Sequence, residues 1–269
     1  MKQAMVFAAG LGTRLKPLTD RMPKALVRVG GQPLLWHVVT KLRDAGYGRI
    51  VVNVHHFAQQ IVDYLVENDN FGLDIRISDE TDQLLETGGG LKKAQALFDP
   101  DEPILIHNVD ILDNVDFDWL RRRHLEDEDA VLLVSRRTTQ RYLLFDNAMR
   151  LMGWKNTATG EVKSPFQWLR ESDFTIDDHL QVQAQPNSQL SALCPQLYAF
   201  AFSGIHSFSP RLFPLMKHFP DRFSIMDFYL SVCHRSHVMG LLKEDLQVLD
   251  VGKLNMLDEA NEFIINTSK

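Results

Sequence analysis

A short glycine-rich loop with two cations follows the first apolar run of the chain. Residues 4–9 are typical of a buried parallel strand, and residues 10–26 form the loop. Small residues at the end of a strand let backbone N–H groups approach anionic oxygens that a Cβ atom would keep away. Arg14 adds a planar guanidinium and Lys24 adds a mobile ammonium group. The loop is therefore expected to bind a polyphosphate through these cations and through the small residues Ala8, Ala9, Gly10, Gly12 and Thr13.

The loop fits neither of the two common nucleotide-binding motifs. Gly10 and Gly12 lack the third glycine of a dinucleotide fingerprint, and no Gly-Lys-Ser/Thr ending of a P-loop follows them. A Gly-x-Gly alone is also typical of an ordinary tight turn. The order Gly-x-Gly-Thr-Arg, proline, threonine and Pro-Lys instead resembles the signature of the sugar-1-phosphate nucleotidylyltransferases, in the compact branch that includes uridylyltransferases and guanylyltransferases. The resemblance implies that Arg14 and Lys24 are catalytic, and that an NTP (UTP or GTP) reacts with a sugar 1-phosphate to give an NDP-sugar and pyrophosphate.

Two aspartates are the candidates for a metal site. Nucleotidyl transfer needs no covalent enzyme intermediate, because the attacking group is already a phosphate oxyanion, and positioning and charge stabilisation supply most of the catalysis. Mg²⁺ prefers one or two carboxylates together with phosphate oxygens and waters. Asp110 follows an apolar run and Asp250 lies in a Leu-Asp-Val-Gly turn, and each alone is equally typical of a turn or cap. The resemblance implies that both bind Mg²⁺. Val109 replaces the glycine common in the family and alters the space beside Asp110.

A second glycine-rich segment is the candidate for nucleoside binding. Glu86, Thr87, Gly88 and Gly89 belong to a Leu-Glu-Thr-Gly-Gly-Gly sequence, which is typical of a strand-to-helix turn capped by the threonine. The resemblance implies that this segment lies against the base and the ribose. Several bases fit such a segment equally well, so the base preference stays open.

The sugar side depends on single residues. The resemblance implies that the backbone of Gly204 meets sugar hydroxyls, and that Lys163 or Arg170 binds the sugar phosphate. His55 and His56 have no partner at metal-ligand spacing, which favours a structural or substrate-lining role.

Composition narrows the range of partners. The chain has 269 residues, with 29 Lys and Arg against 35 Asp and Glu, and its net charge of -6 predicts no footprint for nucleic acid. Cys194 and Cys233 lie far apart, which favours reduced thiols and a cytoplasmic location. No apolar segment is long enough to span a membrane, and the run after Lys2 is interrupted too early for a signal peptide. A monomer or a small homo-oligomer is expected.

Strand-like and helix-like segments alternate through the first half of the chain, which predicts an α/β fold. We expect a Rossmann-like, mostly parallel sheet flanked by helices, in a single nucleotidyltransferase domain over residues 1–269. Residues 136–195 begin with a hairpin, and residues 156–195 are polar, poorly periodic and have too few apolar residues for a core of their own. Residues 136–195 are interpreted as a small β or irregular insertion over the active-site rim, on the sugar side. Residues 254–269 have the spacing of a C-terminal helix.

Two element boundaries follow from the glycines. The spacing predicts a helix over residues 91–97 that is entered from the three glycines at 88–90, and a strand over residues 197–202 that leads into Gly204. Because ligands collect at the carboxyl ends of strands in open α/β sheets, Gly10 and Asp110 are expected at one rim.

Two other classes of protein remain as alternatives. A nucleotide-sugar-binding regulatory protein would keep the pocket but lack turnover, as the variation at Asn108 and Val109 allows; the presence of both candidate metal carboxylates argues against it. A dehydrogenase fits less well, because the third glycine is missing and Asp63 is no convincing ribose ligand.

Overall fold

The computed structural model describes residues 1–184 and 196–267. Its strands are β1 (Gln3–Phe7), β2 (Arg28–Val29), β3 (Gln32–Pro33), β4 (Arg49–Val54), β5 (Asp74–Asp79), β6 (Ile104–Asn108), β7 (Ile111–Asp113), β8 (Ala130–Ser135), β9 (Arg141–Asp146), β10 (Leu151–Asn156), β11 (Val162–Lys163), β12 (Phe174–Ile176), β13 (Val182–Ala184), β14 (Leu197–Phe208), β15 (Val238–Leu242) and β16 (Val248–Asp250). Its helices are α1 (Leu34–Asp44), α2 (Ala58–Glu67), α3 (Glu86–Ala94), α4 (Phe117–Arg123), α5 (Gln167–Arg170), α6 (Phe213–Met216), α7 (Ile225–Val232) and α8 (Leu257–Thr267).

A mixed sheet of ten strands forms the centre of the molecule. Strands β5, β4, β1 and β6 are parallel neighbours, and they make the Rossmann-like half. Strand β14 runs antiparallel to β6, β8 and β9, and it joins this half to the hairpin strands β9 and β10. The predicted α/β fold with helices on the sheet is confirmed, and its antiparallel strands lie together on one side.

Both faces of the sheet are covered because its parallel strands are apolar on both sides. Alternate residues of β1 belong to different core clusters, with Val6 on one face and Met5 on the other. The first cluster includes Leu35 of α1, and the second includes Leu91 of α3 and Phe228 of α7. The sheet therefore lies between two layers of helices, and only its edges and rims remain for a site.

The carboxyl ends of three parallel strands meet at one rim. Phe7 of β1 is level with Asn53 of β4 and with Asn108 of β6. The loop after β1 and the residue Asp110 after β6 therefore lie at the same rim, as the sequence predicts.

The predicted boundaries at the two glycine segments were wrong. Helix α3 begins at Glu86, so the three glycines lie inside the helix rather than before it. Strand β14 does not end at Gly204 but continues to Phe208. Gly204 has a φ of 84°, and the pairing with β8 changes register between Phe202 and His206, so the strand passes this point as a bulge.

A few apolar residues of the segment after β8 pack against strands of the main sheet. The predicted hairpin is present as β9 and β10. Leu169 and Phe174 pack with residues of β9 and β14 in a small third core cluster. Strands of the main sheet supply the rest of this cluster, so these two residues pack on the sheet, and the interpretation of this segment as an insertion stays a prediction. Residues 185–195, including Cys194, lie outside the described residues.

The predicted C-terminal helix is present as α8 up to Thr267. Among the helices of the two described ranges, none is both long and apolar enough to cross a membrane.

Candidate active site

A short antiparallel ladder brings Asp110 and Asp250 together. Asp110 lies between β6 and β7, and β7 pairs with β16 so that Ile111 is opposite Asp250. The Val251 N–H donates to the Asp110 carbonyl oxygen at 2.8 Å. The two predicted metal ligands therefore lie at one place on the rim, although they are far apart in sequence.

Each of these carboxylates has a predicted catalytic cation beside it. Lys24 forms an ion pair with Asp110, and the two side chains are 10% and 18% exposed. A Cβ atom built on Gly252 would lie 2.6 Å from both Arg14 Nη2 and Asp250 Oδ1. Arg14 therefore lies close to Asp250, and the two cations flank the two carboxylates.

A buried amide holds the start of the phosphate loop. Asn53 Oδ1 accepts from the N–H groups of Ala8 at 2.7 Å and Ala9 at 3.3 Å. Asn53 Nδ2 donates to the Glu80 carboxylate at 2.7 Å, and the Leu85 N–H donates to the other Glu80 oxygen at 3.1 Å. Burial raises the pKa of Glu80, and these two hydrogen bonds oppose the rise. Because the N–H groups of Ala8 and Ala9 already have an acceptor, their predicted nucleotide contacts would use other atoms.

Gly12 turns the loop towards the rim. Its φ of 62° is in the left-handed region, and a Cβ atom would lie 2.8 Å from the Thr19 side chain. The Thr19 hydroxyl donates to the Gly12 carbonyl oxygen at 2.8 Å. A short 3-10 turn over Thr13–Leu15 follows and carries Arg14. Gly10 is exposed, and no atom lies within 4 Å of a Cβ built on it, which leaves room for a ligand.

Two cavities open at the rim. The smaller has a volume of about 380 Å³, and the predicted residues that line it are Ala8, Ala9, Gly10, Lys24, Glu86, Thr87 and Asp110. The larger has a volume of about 750 Å³, and the predicted residues that line it are Thr87, Lys163, Gly204 and Asp250. The predicted residues that line neither are Gly12, Thr13, Arg14, Gly88 and Gly89. The structure thus separates the predicted nucleotide residues from the predicted sugar residues, and the two cavities share part of their lining.

Gly88 and Gly89 pack against the protein itself. Their N–H groups donate to the Phe223 carbonyl oxygen at 2.9 and 3.1 Å. A Cβ atom on Gly89 would lie 2.0 Å from the Asp221 carbonyl oxygen. Close approach of residues 221–223 therefore explains the glycines, and a nucleoside contact of these two residues stays a prediction.

Glu86 and Thr87 reach the smaller cavity from the start of α3. The Thr87 hydroxyl oxygen accepts from the Ile225 N–H at 3.0 Å, so it caps α7 rather than its own helix. Glu86 accepts from Arg222 Nε at 3.0 Å. These two residues remain the candidates for a nucleoside contact.

Lys163 is the predicted sugar-side cation that reaches the site. Its Nζ lies 3.1 Å from Asp227 Oδ1 and 5.5 Å from the centre of the Trp154 ring, and it lines the larger cavity. Arg170 donates to the Ser164 carbonyl oxygen at 2.6 Å and lines neither cavity. A sugar-phosphate role therefore stays a prediction for Lys163.

Sequence reasoning missed several polar residues that line the two cavities, including the following five. Asn53 is the penultimate residue of β4, Glu80 directly follows β5 and Asn108 ends β6, so the argument used for Asp110 could have found all three. Arg137, between β8 and β9, and Arg141, the first residue of β9, line the larger cavity. No sequence pattern marked them, because their position depends on the hairpin's place in the sheet.

The donor set at the rim fits Mg²⁺. Asp110 and Asp250 supply two carboxylates, the number that Mg²⁺ accepts beside phosphate oxygens and waters. Within residues 1–184 and 196–267, no group of three or more His, Cys, Asp or Glu side chains could hold a metal ion. His55 Nδ1 lies 2.6 Å from the Glu80 carbonyl oxygen, which agrees with a structural role. Any further metal ligands would therefore come from a substrate and from solvent.

Two carboxylates, two cations and an open glycine loop at the rim of a Rossmann-like sheet define a class, the nucleotide-binding α/β proteins. Comparison with known families is more specific. The profile of the family described as "Nucleotidyl transferase" matches residues 3–142, and the chain belongs to this family.

The chain is also similar to individual proteins. The N-acetylmuramate alpha-1-phosphate uridylyltransferase of Caulobacter vibrioides is 49% identical over 111 residues, 40% of this chain and 46% of that protein. The enzyme of the same name from Neisseria meningitidis serogroup B is 41% identical over 116 residues, 43% of this chain and 49% of that protein. The chain thus spans about half the length of the curated relatives it matches. The inositol-1-phosphate CTP transferase from T. maritima has a TM-score of 0.72 at 15% identity, over 100% of this chain and 97% of that one, and shares the fold.

Proposed function

We propose that the chain transfers a nucleoside monophosphate from an NTP to a sugar 1-phosphate and releases pyrophosphate. The observation that carries the proposal is the junction of two cavities beside Asp110 and Lys24, one lined by the phosphate loop and the other by Lys163 and Gly204. A reaction between two bound anions needs two adjoining sites of this kind. Membership of the family and the similarity to two uridylyltransferases support the same reaction.

The residues at the rim would act by position and charge. The NTP would lie in the smaller cavity with its phosphates along the glycine loop, and the departing pyrophosphate would face Arg14. The sugar 1-phosphate would enter the larger cavity beside Lys163. Lys24, which lines the smaller cavity beside Asp110, would reduce the repulsion between the two anions. A sugar-phosphate oxygen then attacks the α-phosphorus as the bond to pyrophosphate breaks, and the leaving group keeps the electron pair.

Asp110 and Asp250 are the residues that would hold Mg²⁺. When bound, the ion supplies positive charge that neutralises phosphate oxygens and the charge developing on the leaving group. Lys24 keeps the Asp110 carboxylate in place through their ion pair. Arg14 lies close to Asp250 and adds a positive charge beside this carboxylate.

The first substrates to test are UTP and N-acetylmuramate 1-phosphate. Both relatives described above are named N-acetylmuramate alpha-1-phosphate uridylyltransferase. GTP with mannose 1-phosphate is the second pair, since a mannose-1-phosphate guanylyltransferase catalytic subunit from Drosophila pseudoobscura is 35% identical over 124 residues.

Pyrophosphate release from a panel of NTPs, with and without each sugar 1-phosphate, tests the proposal. We expect release only when both substrates and Mg²⁺ are present, and loss of release on addition of EDTA. No release with any pair, or release that does not depend on a sugar phosphate, would contradict it. Tight NTP binding without release would instead favour a regulatory protein.

A further inference from the structure

Asn108 occupies the junction of the two cavities with a free side-chain amide. Four residues line both cavities: Phe7, Thr87, Asn108 and Ser224. The hydroxyl oxygens of Thr87 and Ser224 accept from backbone N–H groups at the start of α7, at 3.0 and 3.2 Å. The ring of Phe7 has no polar atom. Within the described part of the chain, Asn108 is the polar junction residue whose side chain makes no hydrogen bond to the protein.

The backbone that carries this amide is held on both sides. The Val109 N–H donates to the Phe7 carbonyl oxygen at 3.1 Å. His107 Nδ1 lies 2.8 Å from the Asn108 carbonyl oxygen, and His107 Nε2 lies 3.0 Å from Asp113 Oδ2, both within hydrogen-bond distance. Burial by itself would raise the pKa of Asp113, but the hydrogen bond and charge of His107, with the charge of Lys41, hold it below its ordinary value. The amide is therefore presented from a fixed position two residues before Asp110.

Gly204 leaves the space that this amide occupies. Strand β14 pairs with β6 as far as His206 opposite Ile106, and two residues further the same register places Gly204 opposite Asn108. A Cβ atom on Gly204 would lie 2.9 Å from Asn108 Nδ2. Contact with the Asn108 amide therefore explains why a glycine is needed at position 204 without any sugar hydroxyl. The absence of a side chain there leaves the amide its place at the junction.

We propose that Asn108 is a catalytic residue whose Nδ2 donates a hydrogen bond to a non-bridging oxygen of the transferred phosphoryl group. The inference rests on the proposed function, which places the reacting phosphorus where the cavities meet. In that step the sugar-phosphate oxygen bonds to phosphorus, the bond to pyrophosphate breaks, and no proton is transferred. Negative charge develops on the oxygens of the phosphoryl group during this step. A neutral donor that is held in place before the reaction stabilises this charge without rearrangement of the site. Lys24 is ion-paired with Asp110 and would have to give up that contact to bind a phosphate, whereas the Asn108 amide has no such partner.

Asn108→Ala and the isosteric Asn108→Asp test the role. Loss of one such donor typically lowers kcat about 100-fold. We expect that fall in Asn108→Ala, with the KM for the NTP changed by less than about threefold. We expect a larger fall in Asn108→Asp, because its carboxylate keeps the shape but repels the phosphates. Asn108→Ser, which keeps a shorter donor, should recover part of the rate and replaces the alanine variant if that fails to fold.

Asn147→Asp, an identical change of charge in an exposed turn, is the matched control and should keep the wild-type rate. A kcat within threefold of wild type in Asn108→Ala, or equal activity in the alanine and aspartate variants, would overturn the role of Asn108 alone. Wild-type protein that turns over no substrate pair would overturn both this inference and the proposed function.

Discussion

Lys24 and Asp110 form an ion pair at the place where phosphates are expected to bind. Both side chains are largely shielded from water, so removal of one leaves the other charge poorly solvated and unpaired. The two single variants nevertheless report on different steps. Loss of Asp110 removes a proposed metal ligand, whereas loss of Lys24 removes a cation that would contact the phosphates directly.

We predict that Asp110→Asn lowers kcat about 100-fold or more while the Kd for UTP changes only a few-fold. The amide keeps the shape of the carboxylate but lacks the charge that Mg²⁺ needs. Lys24→Ala should instead weaken UTP binding and lower kcat together. Pyrophosphate release and titration calorimetry measure the two quantities, and Asp101→Asn on the surface is the control. Near-normal kinetics in Asp110→Asn would show that the metal assignment is wrong.

The parallel strands could be predicted from the sequence because each one is buried on both faces. The apolar runs at β1, β4 and β6 needed no knowledge of their neighbours, and the rim position of Asp110 followed from strand direction alone. Helix α3 and strand β14 could not be placed in the same way. The glycines in these elements are required by contacts with residues that are distant in sequence. Gly88 packs against Phe223, and Gly204 packs against Asn108.

The residues of the candidate site show the same difference between those that a local sequence pattern predicts and those that depend on distant partners. Arg14, Lys24, Asp110 and Asp250 belong to a linear signature, so the resemblance was enough to select them. Asn53 was not selected, because its contact with the loop after β1 depends on the register of two adjacent strands.

At the level of elements, we predict that Gly89→Ala destabilises the protein. Helix propensity alone would make alanine more stable than glycine by about 1 kcal/mol in a helix interior. The new Cβ atom would overlap the Asp221 carbonyl oxygen, and overpacking of this kind costs about 1–3 kcal/mol. Urea unfolding measures the balance, and Gln95→Ala, at an exposed position directly after α3, is the control. A stabilised Gly89→Ala variant would show that residues 221–223 can move away from the new Cβ atom with little loss of unfolding free energy.

On the scale of the whole molecule, β14 is the strand that joins the two halves of the sheet. It pairs with β6 of the parallel half and with β8 and β9 of the antiparallel half. Its residue His206 is fully buried, and both ring nitrogens lack a partner within the described ranges, as does the hydroxyl of the neighbouring Tyr229. Burial, with a smaller contribution from the charge of His107, lowers the pKa of His206 to about 3.

The stability of the whole fold should therefore depend on His206 in mildly acidic solution. Its folded pKa lies below the ordinary value of 6.5, so between these values the unfolded chain binds one more proton than the native one. The free energy of unfolding must then fall as the pH falls, by up to about 1.4 kcal/mol per pH unit for this group. Between pH 7.0 and 5.5 its share is about 1 kcal/mol.

We predict that His206→Phe removes this share, because a phenyl ring fills a similar space and has no nitrogen to protonate. Urea unfolding at the two pH values measures it, as the difference between wild type and variant in the change of unfolding free energy. His124, whose pKa is also lowered by burial, is present in both proteins and cancels in that difference. The exposed His234→Gln should behave like wild type. An unchanged pH dependence in His206→Phe would mean that the His206 ring of the wild-type protein can bind its proton inside the native fold. The surroundings of His206 on β14 would then be more accessible to water than their packing indicates.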